Sequence, residues 1–154
     1  MVQELALMNA RSGCMVATTT EVAVTRSARR KGLLHRTALD PSCAMVLAPC
    51  LMIHTAFMRF AIDVIFVDRA GRVVRIVPDL GPWRMAASFG AHATVELAAG
   101  ALVSRDVVVG DYLYLEGSAG AGFTPEGLLS SILDSGRKTA ARPAPCGSQL
   151  PHSA

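Results

Sequence analysis

The segment that most constrains the fold is a pair of apolar runs joined by a short connection that contains glycine. The first run covers residues 60–68, the second covers residues 72–77, and Arg69-Ala70-Gly71 lies between them. β-Branched residues, which favour strands, dominate both runs, and such a pair around a short Gly-containing connection is typical of a β-hairpin. The sequence therefore predicts two paired strands, the second of which ends at Pro78.

Further short elements are predicted on both sides of the hairpin. Strands are expected at residues 15–24, 44–48, 94–98 and 112–116, and helical segments at 28–36 after Ser27, at 101–105, and at 124–134 after Thr124. This pattern indicates a mainly β (α+β) fold, either a small antiparallel barrel or a sandwich, with one or two short helices. We expect a flexible segment at 1–14, the domain at 15–117, and a tail at 118–154 with a disordered end.

Composition agrees with one soluble core. Apolar residues make up 51% of the chain, which is enough to fold without disulfides or metals. The longest nearly polar-free stretch, residues 43–53, contains Pro49 and is shorter than the roughly 20 residues that span a bilayer. No basic residue precedes the apolar run at 5–8, unlike a secretory signal. A cytoplasmic protein without a membrane span is predicted.

Motifs of common cofactor and enzyme classes are missing from the sequence. The four cysteines form no C-x-x-C pair and match no zinc-site spacing. No Ser-centred elbow, phosphate-binding glycine loop or dinucleotide fingerprint is present. We therefore expect no cofactor and no metal.

Three residues around the first hairpin strand are candidates for catalysis. Asp63 lies inside an apolar run, and a buried carboxylate needs a partner. Arg59 shares its strand face, so a structural ion pair is favoured over a catalytic role. His54 lies just ahead of them in a loop-like stretch, where it can act as a base, a ligand or a hydrogen-bonding residue.

Three other residues are candidates for ligand binding: Trp83, Arg84 and Glu96. The Trp83-Arg84 step can form a ligand wall by stacking, although a tryptophan that plugs one end of the barrel is favoured. Glu96 shares a predicted strand face with His92. Together with His54 and Asp63 they offer a nitrogen and oxygen donor set, but nothing in their spacing requires a metal.

The densest basic cluster is formed by Arg26, Arg29, Arg30, Lys31, His35 and Arg36. Such a cluster can grip phosphate backbones. It contains no aromatic residues, however, and the chain as a whole has thirteen arginines against two lysines. A solvated face is therefore favoured over nucleic-acid binding.

Several motifs in register resemble a known family. They are His54-Thr55, Met58-Arg59-Phe60, residues 62–68 with Gly71, Gly32-Leu33-Leu34-His35-Arg36, residues 95–100 as a Glu-Leu-x-x-Gly segment, and Gly110-Asp111. Over residues 20–116 this order is similar to the domain of unknown function 192 family. The resemblance implies a compact β-rich fold found in bacteria and archaea and implies no established activity.

The chain departs from the commoner pattern of that family at one place. Residues 54–58 stand where the family has Trp-Met-Lys-Asn-Thr, and Ala61 replaces a proline. A function proposed for the Lys-Asn pair is therefore not carried over to this chain.

Three functional hypotheses follow. The leading one is a non-catalytic accessory or binding module for a small molecule or a protein partner. The second is a small hydrolase-like enzyme that uses His54, Arg59 and Asp63. The third is nucleic-acid binding through residues 26–36. The sequence leaves the oligomeric state open.

Overall fold

The computed structural model describes residues 5–117, and the regular secondary structure of this part consists mainly of short strands. In chain order the strands are β1 (Leu5–Asn9), β2 (Met15–Ala17), β3 (Thr19–Ala23), β4 (Cys43–Leu47), β5 (Met52–His54), β6 (Ile62–Val67), β7 (Val73–Leu80), β8 (Met85–Ala87), β9 (Ala93–Ala98) and β10 (Leu113–Gly117). An α-helix, α1 (Arg26–Lys31), and a 3-10 helix (Ala101–Ser104) accompany them. The mainly β fold class predicted from the sequence is confirmed.

The strands form three sheets in a sandwich-like arrangement. A central sheet has the order β3-β4-β9-β6-β7, a second has the order β10-β1-β2, and β5 pairs with β8. Within residues 5–117 no sheet closes into a barrel. All pairs are antiparallel except β3 with β4. Parallel neighbours need a long crossover, and α1 with the segment that follows it provides this connection.

The central sheet is covered on both faces. Every residue of β4 and β6 is buried, as expected for continuous apolar strands with packing on both sides. On one face Val46, Ile65 and Val95 pack against the second sheet. We call this the closed face. On the other face Leu47 and Phe66 pack against residues of the α1 region and β5, and we call it the cavity face.

The predicted hairpin is confirmed. β6 and β7 pair, with Ile65 opposite Ile76. In the connection the Asp68 side chain accepts hydrogen bonds from the backbone N–H groups of Ala70 and Arg72, a local pattern that stabilises turns. Gly71 has a φ of 83°, which favours glycine.

Four details of the fold differ from the sequence prediction. Residues 5–9, expected to be flexible, form the middle strand of the second sheet. The stretch predicted as one strand at 15–24 splits into β2 and β3, which belong to different sheets. β7 continues through Pro78, because it is an edge strand and one of its sides needs no N–H donor. Thr25, rather than Ser27, caps α1.

The predicted single turn after Gly100 is confirmed as the 3-10 helix. The predicted tail, with its helix at 124–134, lies outside the described residues. No helix within residues 5–117 is long and apolar enough to cross a membrane.

Candidate functional site

A cavity of about 610 Å³ opens on the cavity face of the central sheet. Residues 29–34 line it on one side, and residues from the 49–58 segment, which includes β5, line it on another. Most of the lining side chains are apolar: Leu33, Leu34, Leu47, Pro49, Leu51, Met52, Ile53, Phe57 and Met58. The central sheet itself contributes Leu47 and Glu96. We call this space the main cavity.

Glu96 is the acidic residue of the main cavity. It lies in the middle of β9, with Met45 of β4 and Val64 of β6 opposite it. The side chain is buried, since the residue is only 6% exposed, and its Oε2 atom has no hydrogen-bond partner within the described part of the chain. Burial raises the pKa of Glu96 to about 7, and the positive charge of Arg36 acts in the opposite direction. The carboxyl group therefore changes its protonation state near neutral pH.

Positive side chains lie on one side of the main cavity. Those of Arg30 and Lys31 are exposed and form neither an ion pair nor a hydrogen bond among residues 5–117. Arg29 instead donates to the backbone carbonyls of Val24 and Ala48, which fastens α1 to the ends of β3 and β4. The mouth thus carries two cations whose charge is available to a ligand.

Two buried threonines hold the wall formed by residues 49–58. The hydroxyl of Thr55 donates to the carbonyl of Gly81 at 2.6 Å and accepts from the N–H of Arg84 at 2.9 Å. The hydroxyl of Thr94 donates to the carbonyl of Cys50 at 3.0 Å. These bonds tie an irregular segment to the 81–84 loop and to β9, so the wall is pre-organised.

A second cavity of about 680 Å³ lies beside the main cavity. The two share Leu34, Phe57 and Met58, and the second is completed by His35, Arg59 and Trp83. The rings of Phe57 and Trp83 are in contact, with centroids 4.6 Å apart and planes inclined by 60°. Trp83 is 65% exposed. The favoured interpretation of Trp83 as a plug is therefore wrong.

Asp63 lies on the closed face, where backbone N–H groups donate to both of its carboxylate oxygens. It is 1% exposed. Its Oδ1 atom accepts a hydrogen bond from the N–H of Asp79 at 2.9 Å, and Oδ2 accepts one from the N–H of Leu102 at 3.0 Å. The predicted ion pair with Arg59 is wrong, because the ion pairs found in the described part join Arg11 to Asp106 and Asp111, and Arg36 to Glu21.

The structure brings together only some of the residues singled out in the sequence. His54, on β5, and Glu96 line the main cavity, whereas Arg59 and Trp83 line the second cavity. Arg84 lines neither. The four possible metal ligands do not converge, since Asp63 faces away from Glu96. No group of three His, Cys, Asp or Glu residues in the described ranges is arranged to hold a metal ion.

Sequence reasoning missed three contributors to the main cavity. The sequence predicts a solvated face for Arg30 and Lys31. The signal that could have placed them beside a cavity is their position in a basic cluster next to the Gly32-Leu33-Leu34 segment. Phe57 gave no signal of its own. Its φ of 66° is a left-handed backbone conformation that nothing in the sequence indicates.

Fold and site together define a small, sandwich-like β domain with a pre-organised, largely apolar cavity on one face of its central sheet. The chain belongs to the domain of unknown function 192 family, DUF192, described as "Uncharacterized ACR, COG1430", whose family model matches residues 7–115. The resemblance identified in the sequence is thereby confirmed.

Two solved structures are similar to this one. A protein from Sinorhizobium meliloti 1021, described as a proposed transcription regulator, is 26% identical, with a TM-score of 0.64 over 75% of this chain and 93% of that one. A protein of unknown function from Novosphingobium aromaticivorans DSM 12444 is 23% identical, with a TM-score of 0.61 over 71% of this chain and 82% of that one. The second likeness shows the fold alone. No curated protein matches the chain.

Proposed function

We propose that this domain is a non-catalytic binding module that takes a small molecule into its main cavity, where the ligand donates a hydrogen bond to Glu96. The observation that carries the proposal is the buried carboxyl group of Glu96 in the largely apolar cavity lining, with one oxygen that has no hydrogen-bond partner within residues 5–117. Cavities with apolar walls and a few convergent polar groups are the usual form of small-molecule sites.

The position of Glu96 in the middle of β9 makes its carboxyl group costly to the empty domain. Met45 and Val64 flank Glu96 on the neighbouring strands, and an apolar residue at this position would pack there without a polar penalty. A buried polar group without a partner costs about 1–3 kcal/mol. A ligand that supplies the missing donor recovers this free energy, so Glu96 weakens the empty domain and favours the occupied one.

The positions of the catalytic candidates argue against an enzyme. His54 lines the main cavity, Arg59 lines the second cavity, and Asp63 faces the opposite side of the central sheet. A catalytic group must reach the same reacting atoms as its partners. The hydrolase hypothesis thereby loses the constellation on which it was based.

The basic segment gives little support to nucleic-acid binding. Arg36 forms a two-bond ion pair with Glu21, at 2.7 and 2.9 Å, and Arg29 is bound to backbone carbonyls. These contacts hold two of the arginines in the fold instead of presenting them to a phosphate chain. A protein partner and a cytoplasmic location stay predictions from the sequence.

The test is a screen of small organic molecules by thermal shift and NMR, on the wild type and on Glu96→Met. We expect bound molecules to perturb Leu33, Ile53 and Met58, and to lose affinity in the variant. Glu116→Gln, an exposed carboxyl on β10, is the matched control and should bind as the wild type does.

Two results would overturn the proposal. One is a set of hits that perturb only residues outside the main cavity or bind Glu96→Met unchanged. The other is reproducible turnover of a library compound that is lost in His54→Ala, because a non-catalytic module has no reaction to lose.

A further inference from the structure

We infer that the main cavity takes an organic anion with an apolar body and a hydrogen-bond donor at its inner end, an inference that rests on the proposed function. It follows from three parts of the cavity that differ in chemistry: two cations at the mouth, apolar walls, and one buried acceptor inside. Each part selects one feature of the ligand.

The mouth selects the anionic group. Arg30 and Lys31 are exposed and have no acidic partner among the described residues, and Glu96, the acidic residue of the lining, is buried. An anion entering between the cations meets their charge before it meets that of Glu96. Because both side chains are solvated, this attraction is modest and weakens with salt.

The walls select the apolar body. The side chains of Leu33, Leu47, Ile53 and Met58 are buried and line the space. A volume of about 610 Å³ lies within the range of about 300–1,000 Å³ that holds small organic ligands. A ligand that is polar along its length would lose its hydration here without replacing it.

The inner end selects the donor. A carboxyl oxygen accepts a hydrogen bond from a hydroxyl or amine group in either protonation state. A ligand that ends in a methyl group would offer the carboxyl group of Glu96 no donor, whereas one that ends in a hydroxyl would offer it one. A second carboxylate at the inner end would meet like charge once Glu96 is ionised, so a neutral hydroxyl is the better group there.

Three eight-carbon probes separate these features. ω-Hydroxyoctanoate has all three, octanoate lacks the inner donor, and octanol lacks the anionic end. NMR titration at low salt should show ω-hydroxyoctanoate binding about fivefold more tightly than either of the others, since one net hydrogen bond or one exposed charge contact has about that effect. This ranking is measured on the wild type and so does not depend on the folding of any variant.

Variants assign each preference to its residue. Glu96→Met should abolish the advantage of ω-hydroxyoctanoate over octanoate, and the double variant Arg30→Ala and Lys31→Ala should abolish its advantage over octanol. Arg26→Ala is the matched control, because Arg26 lies on α1 but is not part of the cavity lining. It should leave both ratios unchanged.

The outcomes separate this inference from the proposed function. If the probes bind in the main cavity with equal affinities, the ligand class is wrong and the binding role stands. If preferences appear but survive in Glu96→Met and in the double variant, the class is again wrong. If no probe perturbs Leu33, Ile53 or Met58 while other library molecules do, the ligand class is wrong and the binding role stands. If nothing binds there, both proposals fail.

Discussion

Asp63 and Glu96 are two carboxyl groups buried in the middle of one sheet, on neighbouring strands and on opposite faces. In the register of β6 and β9 they are one position apart, since Asp63 lies opposite Leu97 and Val64 lies opposite Glu96. Both oxygens of Asp63 accept backbone hydrogen bonds, whereas Glu96 lines the main cavity and its Oε2 atom has no partner within residues 5–117.

The contrast shows that burial alone does not distinguish a carboxyl group that the fold uses from one that it leaves without a partner. Asp63 holds the end of β7 and the 3-10 helix against the closed face, so its charge is used within the fold. One side-chain oxygen of Glu96 accepts no hydrogen bond within residues 5–117. Thr20, whose register partner Ala44 packs on the closed face, also has a buried hydroxyl without a partner there, but only Glu96 of these two lines the main cavity.

The largest effect is expected from Asp63→Ala. The N–H groups of Asp79 and Leu102 would lose the carboxylate that accepts their hydrogen bonds, and each such bond to a charged group contributes about 1.5–3 kcal/mol. Because Asp79 is exposed and Leu102 half-buried, the loss in urea denaturation should be near the lower end, about 3–4 kcal/mol. Asp63→Asn keeps one acceptor oxygen and should lose less. A loss below about 1 kcal/mol for the alanine variant would contradict the structural role.

The next effect is a pH dependence due to Glu96. Its pKa of about 7 in the folded state exceeds the ordinary value of 4.5, so between these values the folded state binds more protons than the unfolded state. The free energy of unfolding should therefore fall as pH rises from 4.5 to 7, by about 3 kcal/mol at 1.36 kcal/mol per unit, and then level off.

Glu96→Gln should lack this slope in denaturation series at several pH values. Asp111 does not obscure it, because hydrogen bonds, chiefly from Arg11, lower the pKa of Asp111 to about 2. The stability that Asp111 contributes is present above its ordinary value of 3.8 and is lost only as pH falls toward 2. Equal slopes in wild type and variant would show that Glu96 titrates normally.

The smallest effect concerns the wall shared by the two cavities. Phe57→Ala removes the ring that contacts Trp83, and because both rings are mostly exposed the loss of stability should be about 0.5–1 kcal/mol. Trp83 is the single tryptophan of the chain, so its emission should shift to longer wavelength. Phe57→Gly, which also relieves the positive φ, should be at least as stable as the alanine variant. An unchanged spectrum would argue against the ring contact.

Local pattern explains which strands the sequence could predict. β6 and β7 carry dense β-branched runs around a recognisable connection, and that signal is independent of the rest of the chain. β1, with Leu-Ala-Leu-Met-Asn, has no β-branched residue, and it is a strand because β2 and β10 pair with it. β5 and β8 have three residues each, too few to show a period.

The candidate site could be predicted residue by residue but not as an assembly. His54 and Glu96 were singled out separately, and the structure places both in the main cavity. The sequence groups Asp63 with Arg59 and with the donor set around Glu96, whereas its partners are backbone groups of Asp79 and Leu102, which residue types cannot reveal. Arg59 was assigned to Asp63 by proximity in sequence, and the chain turns it toward the second cavity.

The pairing of β1 with β10 places the first and the last described strands side by side. Leu5 is the register partner of Gly117, so a single pair of neighbouring strands joins the two ends of the described chain. The domain therefore has the geometry of a module that can be inserted into a loop of another protein, or rejoined end to end and opened at the 69–71 connection, without separating any of its three sheets.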